Sequence, residues 1–222
     1  MRLRRVPLGR HGGLNVLIDA GPDLRQQMLR AGVRHLDAIL LTHEHNDHVI
    51  GLDDIRPFNF RSGHPMSVYA QARVAGDVRK RFEYIFGDPI PGLPRIELHT
   101  IDKDSRLSFP GLEVQCVGIW HGRLPILGFR FGDLAYLTDV KSVSPDEKTK
   151  LEGVRWLVLN ALHHRPHPTH LNLEEALAFI ETIRPEKTWL THISHEMGKA
   201  AEMGALLPEG VYAGYDGMEI EC

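Results

Sequence analysis

The run His43-Glu44-His45-Asn46-Asp47-His48 constrains this chain more than any other stretch of it. Within it, three imidazoles and an aspartate fall inside about two helical turns. It directly follows Leu36 to Thr42, an apolar run that reads as a buried strand. Polar side chains at the end of a buried strand need partners, because an unpaired one costs about 1–3 kcal/mol. What these four side chains share is the ability to ligate a metal. The spacing H-x-H-x-D-H divides between two ions, His43 and His45 reaching one, Asp47 and His48 the other. Neutral imidazole and carboxylate suit zinc, manganese or iron. A fold built around this motif must present a strand end at a rim where further ligands can meet it.

Composition narrows the setting. The 222 residues are 42% hydrophobic, enough for a sizeable core. A net charge of −3 argues against a nucleic-acid surface built on bulk positive charge. Cys116 and Cys222 are the only cysteines, too few for a disulfide framework or a cysteine-rich metal site. Arg2, Arg4 and Arg5 have no apolar segment behind them, so the N-terminus does not read as a secretory signal. No apolar run reaches the ~18 residues of a membrane span. Together these features predict a cytoplasmic protein that does not enter a membrane.

No repeat, low-complexity segment or linker interrupts the chain, which predicts a single domain over 1–222. Short apolar runs bounded by Gly, Pro or Asp predict strands at Leu14–Asp19, Ala38–Thr42, Met66–Ala70, Arg95–Thr100, Leu112–Ile119, Ile126–Phe131, Leu134–Thr138, Trp156–Asn160, Thr188–Thr191 and Met218–Glu221. Helices are predicted at Asp23–Ala31, at Ala72–Phe86 and from Asn172 to Pro185, with a last one near Glu196. Strands outnumber helices, and the helices are spread along the chain. That pattern suits an α+β sandwich of two sheets with helices on the outer faces. Trp156 and Trp189 read as core, and His64 and His99 as surface.

Two metals need more ligands than one motif holds, and ligand-type residues stand just past other apolar runs. His121 follows Trp120, Asp139 follows Ala135-Tyr136-Leu137-Thr138, and His192 follows Trp189-Leu190-Thr191. With them, one ion has His43, His45, His121 and Asp139, and the other has Asp47, His48, Asp139 and His192. Asp139 bridges, and each ion keeps an open position.

These residues, in this order over most of the chain, resemble the metallo-β-lactamase superfamily. The resemblance implies a four-layer αβ/βα sandwich, two mixed sheets flanked by helices, with two divalent ions at their edge. Thr191-His192-Ile193-Ser194-His195, Tyr215-Asp216-Gly217-Met218-Glu219-Ile220, Tyr136-Leu137-Thr138-Asp139 and His170-Leu171-Asn172 resemble more closely the phosphodiesterases of phosphonate breakdown, which open 5-phosphoribosyl 1,2-cyclic phosphate. By that resemblance His170 is a general acid or phosphate contact, and His195 matches a ligand of a structural zinc. The other ligands of that zinc are N-terminal cysteines that this chain lacks, and the opening strand and N-terminal segment are expected to be missing. The resemblance also points to a homodimer.

The implied reaction is hydrolysis of a small phosphate ester, a cyclic ribose phosphate or nucleotide-like molecule, by a metal-bridging hydroxide. Zinc lowers the pKa of bound water to roughly 7. Asp47 would orient the hydroxide, and His170 would protonate the leaving alkoxide. Arg56 and Arg165 are candidate phosphate contacts, with Arg123 a further one, and His163, His164 and His167 read as a loop lining the substrate mouth. Two alternatives stay open. A ribonuclease Z-like nuclease uses the same ligands, but the acidic balance and the absence of a Gly/Pro/Lys-rich arm count against nucleic acid. A non-hydrolytic redox or regulatory metal protein is the other, although iron-binding members place a Glu where His45 stands. A β-lactamase or a glyoxalase II is less well matched, for want of a secretion signal and of a C-terminal helical domain.

Overall fold

A computed structural model describes residues 8–11, 13–88, 90–204 and 206–221. The chain forms two compact units that meet in sequence between Asp102 and Lys103. Each is built on one sheet.

The first unit carries β1 (Leu8–His11), β2 (Leu14–Ile18), β3 (Ala38–Leu40), β4 (Met66–Ala70) and β5 (Ile96–Thr100), in that spatial order. β1 pairs antiparallel with β2, and the other neighbours are parallel. Parallel strands need crossovers, here supplied by α1 (Leu24–Arg30), α2 (Asn46–Val49), α3 (Arg56–Ser62), α4 (Ala72–Arg81) and α5 (Glu83–Phe86). The core follows from apolar spacing. Leu17, Ile39 and Val68 of the sheet pack with Leu24 and Met28 of α1, Phe58 of α3, and Val74 and Val78 of α4. Each such side chain, fully buried, contributes roughly 1.5–3 kcal/mol.

The second unit holds β6 (Arg106–Phe109), β7 (Leu112–His121), β8 (Leu124–Phe131), β9 (Leu134–Leu137), β10 (Trp156–Asn160), β11 (Lys187–Thr191) and β12 (Val211–Ala213), each beside the next in sequence. β6 to β9 are antiparallel, and β9 to β12 are parallel. The switch from hairpins to crossovers coincides with the helices α6 (Pro145–Thr149), α7 (Leu173–Ile183) and α8 (Ala200–Gly204). α7 starts on a capping box: Asn172 Oδ1 accepts from the Glu175 amide at 2.8 Å, and the Glu175 carboxylate accepts from the Asn172 amide at 3.0 Å. It ends at Arg184, a left-handed residue, before Pro185.

The pairing brings chain ends together. Within the first sheet Ile18 lies opposite Leu40, so Asp19 emerges beside the run into Thr42 and His43. Within the second, Leu137 lies opposite Leu159 and Asn160 opposite Thr191, so Asp139 and His192 leave the same edge. β7 runs in the direction of β9, and His121 closes it at that edge too.

Several sequence expectations change. Met218–Glu221 is not a strand; the last strand is the shorter Val211–Ala213. The predicted Ala72–Phe86 helix breaks at Phe82. Trp156 and Trp189 are half-buried at the sheet surface rather than in the core, Trp156 beneath the Arg155 guanidinium and Trp189 stacked on Tyr212. His64 is exposed, whereas His99 is half-buried and stacks on Tyr69 at 4.7 Å. Among the described residues no helix is long and apolar enough to cross a membrane.

One glycine secures the loop that carries the metal motif. A Cβ on Gly51 would overlap the Gly21 carbonyl oxygen and sit 3.0 Å from that of Ala20. Both are backbone atoms, and the Gly51 amide is itself bonded to Ala20 O at 2.8 Å. Gly51→Ala is therefore expected to destabilise the protein by roughly 3 kcal/mol, read as a lower denaturant midpoint with an unchanged slope. A midpoint equal to that of the unmodified protein would show that the loop gives way freely.

Candidate metal centre

In the first unit the motif sits between β3 and α3. His43 is fully buried, His48 nearly so, and His45 is exposed. Two of the ligand-type residues, His43 through Thr42 and His48 directly, are held from behind by Asp19, a residue the sequence reading did not single out. Asp19 Oδ1 accepts from the Thr42 amide at 2.8 Å, and its Oδ2 accepts from the Thr42 hydroxyl at 2.8 Å. The hydroxyl proton is thereby committed, so at His43 Nδ1, 2.9 Å away, Thr42 Oγ1 can only accept. His48 Nδ1 donates to Asp19 Oδ2 at 2.6 Å. Both imidazoles are thus fixed with their protons on Nδ1, leaving Nε2 with a lone pair. Such outer partners orient ligands and set their tautomers.

His43 Nε2 and His45 Nδ1 lie 2.9 Å apart, and His48 Nε2 is 3.1 Å from an Asp47 oxygen. The spacer residues are tied down as well, Glu44 by Arg73 and Asn46 by Arg81, both from α4. The Tyr84 hydroxyl donates to Asp53 at 2.7 Å; burial and that carboxylate push it up to about 12.

The second unit carries its own group of ligand-type residues. His121 Nδ1 donates to the carbonyls of Asp139 and Thr169, each at 2.9 Å, which places a ring proton on Nδ1. Asp139 Oδ2 accepts from the Thr138 hydroxyl at 2.7 Å. Its Oδ1 faces His170 Nε2 at 3.0 Å and His192 Nε2 at 3.2 Å. The rings of His170 and His192 stack at 4.8 Å. His121, Asp139 and His170 each offer a ligand atom within 4.8 Å of the others. Burial pushes the His170 imidazole below its usual range, although Asp139 opposes that shift.

The backbone here is unusual. Asp19, Asp139 and His192 have φ of 61°, 57° and 51°, in the left-handed region that non-glycine residues avoid. Among the described residues the only other such non-glycine residue is Arg184, at a helix end. Neighbours hold Asp139 in place, since Asn160 Oδ1 accepts from the Val140 amide at 2.6 Å and Asn160 Nδ2 donates to Val140 O at 3.2 Å. Strained residues of this kind cluster at functional sites.

The remaining expected residues fall as follows. Arg56 opens α3, is exposed, and donates to Gly92 O at 3.2 Å. Arg165 is exposed and pairs with Glu196 at 2.7 Å; that guanidinium holds the Glu196 carboxyl below its usual range. His163 is buried, His167 half-buried and His164 exposed, on the loop that ends in His170. His195 is exposed in a short 3-10 turn. Cys222 lies outside the described residues, and so does the side chain of every residue before Gly13. The one available signal for Asp19 was an acidic residue closing an apolar strand. Thr42 and Thr169 left no signal.

Imidazoles anchored through Nδ1 and set beside buried carboxylates are the donor chemistry of a divalent transition-metal centre. Known proteins agree. The family model for the beta-lactamase superfamily domain matches residues 14–193. A crystal structure of a diphosphatase from the PhnP family is 35% identical, covering 99% of this chain and 85% of its own, with a TM-score of 0.91. An octanoyltransferase of Porphyromonas gingivalis is 41% identical over 93% of this chain and 42% of its own length. A ribonuclease Z of Bradyrhizobium is 32% identical over 54% of this chain and 41% of its own. The chain thus spans less than half the length of either of these two relatives. The fold is the metallo-β-lactamase fold. The chain belongs to the beta-lactamase superfamily and is similar to the PhnP family within it.

Proposed function

We propose that the protein is a dimetal phosphodiesterase acting on a small phosphate ester, such as a cyclic ribose phosphate or a nucleotide-like molecule. The observation that carries this reading is the likeness to the PhnP-family diphosphatase across nearly the whole chain, joined to the buried histidine and aspartate groups of both units. His43, His45, Asp47 and His48 would hold the ions together with His121, Asp139 and His192. Zinc or manganese suits this donor set, and iron is admitted by it. When bound, the ions supply Lewis acidity toward the phosphoryl oxygens and a nucleophile at neutral pH.

The chain's own residues do the rest. Asp19 and Thr42 keep His43 and His48 in one tautomer. Asp47 orients the attacking group. His170, whose Nε2 faces Asp139, protonates the departing alkoxide. Arg56 and Arg165 are the candidate phosphate contacts, and Arg165 would have to exchange its Glu196 partner to serve.

The test is hydrolysis of bis(p-nitrophenyl) phosphate by the zinc- or manganese-loaded protein, with His43→Ala as control. Turnover that vanishes in His43→Ala supports the reading; no turnover in either protein sinks it. The relationship to ribonuclease Z favours a second reading, a nuclease acting on RNA ends. Tight, salt-sensitive binding of transfer RNA, with cleavage of its precursor, would put that reading first.

A further inference from the structure

β7 ends at His121 and β8 begins at Leu124, which lie opposite each other, so Gly122-Arg123 is a two-residue hairpin turn. Gly122 has a φ of 64°, the positive value such a turn asks of its first residue. Space is a second demand. A Cβ on Gly122 would stand 2.8 Å from Thr169 Cγ2, well inside the contact distance of two carbons, and 3.5 Å from Pro168 O. Thr169 therefore sits where a side chain at 122 would be.

Thr169 has little room to retreat. Its loop leaves at Leu162 and returns at Leu171, whose carbonyl accepts from the Leu162 amide at 3.0 Å and whose amide donates to Val140 O at 2.7 Å. Pro166 and Pro168 fix φ at two positions between. In this seat the Thr169 carbonyl accepts from His121 Nδ1 at 2.9 Å, beside that of Asp139. The Thr169 hydroxyl lies 3.0 Å from His170 Nδ1 and 3.3 Å from His167 Nδ1. Turning about χ1 gives no escape from a methyl group at 122. One rotamer puts the hydroxyl in the crowded spot, and the other puts Cγ2 where the hydroxyl meets the imidazoles. What is left is a shift of the main chain, which draws the carbonyl off His121.

We propose that Gly122 is a positioning residue for His121: the space left by its missing side chain seats Thr169 at the end of β7, and that seat holds the Thr169 carbonyl on His121 Nδ1. The proposal rests on His121 as a metal ligand, as read above, and not on the choice of substrate. Outer partners of this kind fix the orientation of a ligating imidazole. A glycine beside the ligand thus decides how closely the loop of residues 163–170 approaches it.

Zinc affinity, read by competition with a chromophoric chelator, gives the first arm of the test. Gly122→Ala is expected to bind roughly 10-fold more weakly than the unmodified protein, the scale of losing an outer partner of a metal ligand. Thr169→Ser keeps the hydroxyl and removes Cγ2, and should bind as the unmodified protein does. Gly122→Ala/Thr169→Ser should recover most of the loss, although it keeps alanine at a positive φ. Proton exchange gives the second arm. In excess chelator, the His121 Nδ1 proton of histidine-labelled protein should exchange with solvent faster in Gly122→Ala and slow again in the double variant.

A Gly122→Ala protein with undiminished affinity or unchanged exchange overturns the proposal. So does a double variant as weak as Gly122→Ala, which would make Gly122 a turn residue alone. If Gly122→Ala does not fold, the double variant decides: it must fold and bind zinc near the unmodified strength, and its failure overturns the proposal too. If the unmodified protein takes up no zinc, the ligand reading fails while proton exchange still decides whether Gly122 seats Thr169 on His121.

Discussion

Asp139→Ala is expected to lower kcat/KM for bis(p-nitrophenyl) phosphate by roughly 10³-fold, the scale of losing a preorganised charged group from an active site. One carboxylate oxygen of Asp139 faces the Nε2 atoms of both His170 and His192, and the other takes the Thr138 hydroxyl. Alanine removes the charge toward which both imidazoles turn and leaves them against each other. Val140 remains clamped by Asn160 whatever side chain stands at 139, but the buried Thr138 hydroxyl and His170 lose their acceptor, so a lower denaturant midpoint is expected beside the kinetic loss. Asp139→Asn separates shape from charge: it keeps the volume, and its activity should stay near that of the alanine variant. Steady-state kinetics and elemental analysis of the bound metal check both. Activity within 10-fold of the unmodified protein would remove Asp139 from the centre of the mechanism.

Asp19→Ala should fail in a different way. Its carboxylate serves the Thr42 amide, the Thr42 hydroxyl and His48 Nδ1, all buried. Removing it strands these donors away from water, and a hydrogen bond to a charged group is worth about 1.5–3 kcal/mol. A loss of roughly 4 kcal/mol is expected, because the three cannot all find new partners. Denaturant unfolding in the presence of a chelator isolates this part. The metal effect comes on top. With the tautomers of His43 and His48 released, affinity should fall roughly 10–100-fold, seen in a competition titration with a chromophoric chelator. Asp19→Asn should recover part of the stability and little of the affinity, since one amide cannot accept from all these donors. An Asp19→Ala protein that kept both would show that the imidazoles orient themselves.

What could be read from the sequence divides along physical lines. The ligand-type residues were legible because each stands directly after an apolar run, and a strand end is a local pattern. Asp139 and His192 illustrate this: β9 and β11 are visible as runs, and the residues past them follow. Asp19 and Thr42 were not, because their work is to bond each other and an imidazole across two strands whose pairing no local pattern reveals. The seat of Thr169 against Gly122 was hidden for the same reason, since it depends on how residues 163–170 fold back. The strand expected at Met218–Glu221 failed because its alternation of apolar and acidic residues suits a strand equally well whether or not a sheet edge is there to receive it. β12 ends at Ala213 instead. The helices α2 and α3 were missed because the residues that open the first of them read as metal ligands.

The left-handed backbone at Asp19, Asp139 and His192 has a consequence for timing. Residues in that region disfavour themselves by about 1–3 kcal/mol each and persist only where the surrounding fold dictates them. The sheets, and the clamps at Thr42 and Asn160, meet that demand during folding. An ion arriving at either unit finds its turns already made, so none of its binding energy goes into bending the chain. Within each unit the ligand-bearing edge is preorganised at the level of the main chain, before any side chain has turned.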